Sequence, residues 1–160
     1  MDKPSFVYVI YIATTAERLW EALTTPAINR RFWFGMQQAS DWNVGSTWRM
    51  ENSDGTAENI GEVLEVDRPR KLVVSWWNDT DPELRPAGRT RFTFLLQPVG
   101  EQIKLTLLHE IAPAGHAFIA SVSEGWPQIL SSLKTLLETG EPLPGTSEGS
   151  SCKERNARNG

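Results

Sequence analysis

The sequence predicts an α+β domain in which one curved antiparallel sheet of about six strands lies against one long C-terminal helix. Three observations lead there. Residues Ala117 to Thr139, AFIASVSEGWPQILSSLKTLLET, carry apolar side chains at Phe118, Val122, Trp126, Ile129, Leu130, Leu133, Leu136 and Leu137. These steps of three and four form one broad stripe, the pattern of a helix laid on a core. Five or six other segments alternate or run apolar over strand length, and no second segment supports so long a helix. The order of strand, two short helices, five strands and one long helix segregates helices from an antiparallel meander, which is the α+β arrangement.

The elements follow along the chain. Ser5 to Ala13, SFVYVIYIA, is rich in β-branched and aromatic residues and reads as a strand, apolar on both faces. Thr14 and Glu17 have capping-box spacing, opening a short helix from Ala16 to about Leu23. Thr25 before Pro26 signals a second short helix reaching about Phe32, since proline suits a first helical position. Asp41 to Val44 is a turn before a strand near Ser46 to Glu51, where Trp48 and Met50 share a face. Ser53, Asp54 and Gly55 mark a hairpin turn. The following strand, Thr56 to Val66, contains Gly61, which predicts a bulge or a close backbone approach.

Lys71 to Trp77 alternates, with Leu72, Val74 and Trp76 on one face. Asn78 to Gly88 is a polar loop with two prolines. Arg89 to Gln97 sets Phe92, Phe94 and Leu96 opposite Arg91 and Thr93, and Gln102 to Glu110 sets Ile103, Leu105, Leu107 and His109 on one face. Pro127 removes a helical N–H, so the last helix either begins near it or bends past it. Phe118 and Val122 continue the stripe upstream and favour a single bent helix, ended by Gly140. The folded domain therefore spans residues 1–140, with 141–160 (GEPLPGTSEGSSCKERNARNG from Gly140) as a disordered polar tail.

Composition narrows the function. A net charge of −4 offers no general attraction for nucleic acid, which needs a basic face. The one cysteine, Cys152, permits no internal disulfide and suits the cytoplasm. No stretch is apolar enough to insert in a membrane. Two histidines and no suitable spacing argue against a metal, and no phosphate-cradling glycine loop implies a nucleotide, so no cofactor is expected.

The strand ending Ile12-Ala13, then LWEALTTP, then Phe32-Trp33 resembles the SRPBCC or START-like superfamily. Within it the chain is most similar to the branch of activators of the heat-shock-protein-90 ATPase. Gly45-Ser46 before Trp48-Arg49, Gly61-Glu62-Val63, Pro69, Leu72-Val73 through Trp76, and Gly125-Trp126 with Leu130, Leu133 and Leu137 carry the rest of the likeness. The resemblance implies the helix-grip fold, a sheet gripping the C-terminal helix over a hydrophobic cavity. Members bind lipids, sterols, plant hormones or polyketides, and some are cyclases or aromatases. The second chaperone-binding domain of the eukaryotic co-chaperones has no counterpart in this sequence.

Three readings follow. The first is a binding module for a small hydrophobic, aromatic or lipid-like molecule, lined by Trp48, Trp76, Phe92, Phe94, His109, Phe118 and Trp126, since ligand sites are concave and mostly apolar. The same residues read blandly as core. The second is an enzyme of the cyclase or hydrolase kind with His109 as acid–base group; a histidine hydrogen-bonded at the core edge is its plain alternative. The third is a chaperone-linked or homodimeric interaction domain using Phe32, Trp33, Phe34 and Met36, which otherwise form a gate or a lid packed on the core.

Overall fold

The computed structural model describes residues 5–78, 80–82, 85, 88–111 and 116–147; side chains of 58 and 116–118 are outside that description. Ten elements follow one another: β1 (Ser5–Ile12), α1 (Ala16–Thr24), α2 (Pro26–Phe32), β2 (Gln37–Ala39), β3 (Thr47–Glu51), β4 (Ala57–Asp67), β5 (Lys71–Asn78), β6 (Thr90–Val99), β7 (Gln102–Glu110) and α3 (His116–Thr139). One curled antiparallel sheet takes the order β1-β7-β6-β5-β4-β3-β2, and α3 lies against it. This is the helix-grip arrangement.

The alternation read from the sequence sets the two faces. Leu72 and Val74, Phe92 and Phe94, and Leu105 and Leu107 are all fully buried on the inner side, against Trp126, Leu130 and Leu133 of α3. β1, ambiguous by periodicity, turns Ile12 inward with Phe6, Tyr8 and Ile10 packed on the core, and leaves Val7, Val9 and Tyr11 exposed. Arg49 and Arg91 take the solvated face, Arg91 pairing with Glu110 at 2.6 Å.

Gly61 is the close approach. A Cβ built there would lie 1.7 Å from the Ser75 carbonyl oxygen, so only glycine lets β4 meet β5 at that point. The Ser75 hydroxyl accepts from the Glu62 N–H at 2.9 Å, and a register shift between Val63 and Glu65 bends the strand just beyond.

Three expectations need correction. The sheet has seven strands: Gln37–Ala39 pairs with β3, a segment too short and too polar to register as a strand. The cap of α1 is Thr15, whose hydroxyl accepts from Arg18 N–H, so Thr14 and Glu17 form no capping box. The single helix favoured past Pro127 is as expected, α3 running from His116 to Thr139 with Pro127 inside it. The polar tail does not begin at 141, because residues 141–147 fold back onto the domain. There the Thr146 hydroxyl meets the Ser132 hydroxyl at 2.6 Å, and the Thr146 carbonyl accepts from Phe34 N–H at 2.7 Å. Both Thr146 and Ser132 are completely buried, and hydrogen bonding makes that burial tolerable for polar groups. Residues 148–160 lie outside the described residues, as do parts of the expected loop 78–88.

Candidate functional site

The inner faces of β3, β5, β6 and β7 contribute Trp48, Trp76, Phe92 with Phe94, and His109, and Trp126 of α3 packs onto them. Trp48 and Phe92 lie 5.6 Å apart between ring centres, Trp48 and Trp76 also 5.6 Å, and Phe92 and Phe94 5.4 Å. Trp126 packs on Phe92 and on Phe94, each at 5.8 Å. These separations and mostly edge-to-face angles suit the ring quadrupoles, with about 0.5–1.5 kcal/mol per pair beyond burial. Six of the seven residues expected to line a cavity are thus brought into one cluster. The seventh, Phe118, has its side chain outside the described residues.

His109 lies at the centre of a polar chain inside this cluster, and its hydrogen bonds determine its tautomer. The Trp126 indole N–H, a donor only, points at Nδ1 from 3.1 Å, so Nδ1 accepts. Nε2 then carries the proton and donates to Thr90 Oγ1 at 2.8 Å. Thr90 in turn donates to the Trp76 carbonyl at 2.7 Å. The Trp76 ring stacks on the imidazole at 5.2 Å and 24°. Burial lowers the His109 pKa from 6.5 to about 3. Protonation would also set an N–H against the Trp126 donor. A neutral imidazole of such low basicity, engaged at both nitrogens, holds the cluster's geometry and is a poor general base.

Trp76 alone among the cluster's rings is only partly buried. Its indole N–H donates to Asn59 Oδ1 at 2.8 Å, and Asn78 donates to the same oxygen at 3.0 Å. The ring is thereby held rigid where the aromatic interior meets solvent.

The turn after α2 is not the exposed patch that an interface would need. Phe32, Trp33 and Phe34 are 0%, 2% and 6% exposed and Met36 is half-buried, because the turn closes over the core. Trp33 reaches Trp126 at 5.2 Å and so belongs to the cluster. The turn is thus packed onto the core.

Sequence reasoning missed a second polar chain. Asn29 donates to Ala22 O at 2.9 Å and accepts from Gln38 N–H at 3.0 Å. Gln38 donates to Leu23 O at 2.7 Å, and its oxygen accepts the Trp48 indole N–H at 3.0 Å. Both amides are fully buried and join α1, α2, β2 and β3. The one signal available was Trp48 itself, because a buried indole N–H needs an acceptor. Among the described residues, no group of three or more His, Cys, Asp or Glu side chains could hold a metal.

A helix-grip domain of the SRPBCC type is what this sheet, helix and aromatic interior define. Residues 13–138 match the family described as activator of Hsp90 ATPase homolog 1-like protein, and the chain belongs to that family. A comparison with curated proteins returns no match. Among solved structures, protein MLL2253 from Mesorhizobium loti superposes with a TM-score of 0.73 at 26% identity, covering 84% of this chain and 97% of that one. The Aha1 dimer from Colwellia psychrerythraea gives 0.70 at 22% identity, covering 86% and 98%. An HSP90 activator from Plasmodium falciparum gives 0.65 at 24%, covering 86% and 97%. The last two likenesses show the fold. Among the described residues no helix is long and apolar enough to cross a membrane.

Proposed function

We propose that the protein binds a small, flat hydrophobic molecule between the sheet and α3, entering against Trp76. The observation that carries this reading is the exposure of Trp76, the ring through which an otherwise sealed aromatic cluster reaches solvent. Apolar burial and ring stacking supply the affinity, and the rigid tether to Asn59 pre-orients the contact face. His109 acts by holding Trp126 and Thr90 in place, which supports a binding role over a cyclase or hydrolase role for it.

Native mass spectrometry of the purified protein, then denaturing extraction, identifies any co-purified compound. In parallel, titration with the probe 1-anilinonaphthalene-8-sulfonate should show one saturable site. Trp76→Leu should weaken it about tenfold, since one stacked ring contributes roughly 1.4 kcal/mol. Absence of saturable binding, or equal affinity in Trp76→Leu, would remove the reading.

A further inference from the structure

We infer that the free edge of β1 is a self-association surface that takes a second copy of this chain, strand against antiparallel strand. The two ends of the sheet are treated differently. At one end β2 is three residues long, and α2 covers it through the Asn29–Gln38 bond and the contact of Arg30 with Gln37. At the other end β1 runs eight residues, with β7 as its single sheet neighbour among the described residues. Its pairing with β7 is unbroken from Ser5↔Glu110 to Ile12↔Ile103, so no bulge twists the edge away.

The strand SFVYVIYI contains no charge and no proline, the devices by which sheet edges are ordinarily protected. Val7, Val9 and Tyr11 are 57%, 44% and 43% exposed on its outer face. Such an edge is an unmet ladder unless another strand covers it.

The hydrogen bonds of α3 fix which part is free. Lys134 Nζ donates to the Tyr11 carbonyl at 2.7 Å, and Glu138 accepts from Ala13 N–H at 2.8 Å. These two residues share one side of the strand, because backbone groups alternate in direction. Ser5, Val7 and Val9 have the same parity and point their N–H and C=O groups to the open edge. Helix α3 guards the edge at Tyr11 and beyond, leaving those three residues to pair. An antiparallel two-fold pairing that uses only them centres on Val7 opposite Val7 of the other copy, with Ser5 opposite Val9 in both directions. The same operation lays the exposed Val7 and Val9 side chains of both copies on one continuous outer face.

The occupant follows from the chemistry. A neutral, two-fold self-complementary edge carries no charge pattern to select an unlike partner, and an isologous contact closes at two copies. Residues 148–160, EGSSCKERNARNG, are unsuited as occupant, being mostly glycine, serine, asparagine and charged residues with no strand pattern.

Sedimentation velocity over a concentration series tests this. The wild type should move from the 18.0 kDa single-chain mass toward the two-chain mass and no further. Val7→Lys should raise the dissociation constant on the order of 100-fold, since the charge enters twice at the symmetry axis. Val44→Lys, at an exposed apolar position off the strand, should match wild type, and near-UV circular dichroism should be unchanged in both variants. Val7→Cys in a Cys152→Ser background should oxidise to a covalent dimer, whereas Val44→Cys in that background should not. A single-chain mass at every concentration, or a dimer untouched by Val7→Lys, overturns the proposal.

Discussion

His109 shows how one residue's surroundings determine its chemistry. Its folded pKa of about 3 lies below the ordinary 6.5, so the unfolded chain takes up a proton that the folded chain refuses. The stability this group contributes is therefore fully present above pH 6.5 and is lost as pH falls from there toward 3. Comparing urea unfolding of wild type with His109→Gln isolates the effect. Relative to that variant, wild type should lose about 2 kcal/mol between pH 7.5 and pH 5; a pH-independent difference would contradict the neutral buried imidazole. Gln38→Leu tests the second polar chain: it strips the Trp48 N–H of its acceptor and should cost about 1–3 kcal/mol by the same measurement. The aromatic partners of His109 were readable from alternation along single strands. Asn29 and Gln38 were not, because a short polar segment looks like surface until distant backbone carbonyls supply its bonds.

Strands and helices here depend on a few close contacts. Gly61→Ala should destabilise the protein by roughly 3 kcal/mol or more, since the obstacle is the Ser75 backbone carbonyl and not a side chain that can turn aside. Ser75→Ala should accordingly fail to rescue it in thermal unfolding. The segment 141–147 functions as a strap between α3 and the turn after α2. A chain ending at Gly140 should lose about 2–4 kcal/mol relative to one ending at Ser147, because Phe34 N–H and the Ser132 hydroxyl lose buried partners. Equal melting temperatures for the two would show the strap to be idle. Glycine, proline and serine content made this segment read as disordered. Composition describes the average fate of such residues, whereas one buried threonine decided the fate of these.

At the scale of the whole molecule, the described residues share one core. Ile12 of β1, Leu19 of α1, Phe32 of α2, Trp48 of β3, Val63 of β4 and Leu130 of α3 belong to the same buried cluster as the aromatic site. Unfolding should therefore be a single transition, with tryptophan fluorescence and far-ultraviolet circular dichroism superimposing in urea; separated midpoints would indicate a site that melts apart from its scaffold. Alternation of apolar side chains was enough to determine the strands, the inner face and the long helix, because period two and period 3.6 are local consequences of backbone geometry. The order β1-β7, the burial of Phe32 to Phe34, the polar chains through Gln38 and His109, and the part exposure of Trp76 were decided by tertiary structure. Each depends on which atoms from remote segments meet, and no local period encodes that meeting.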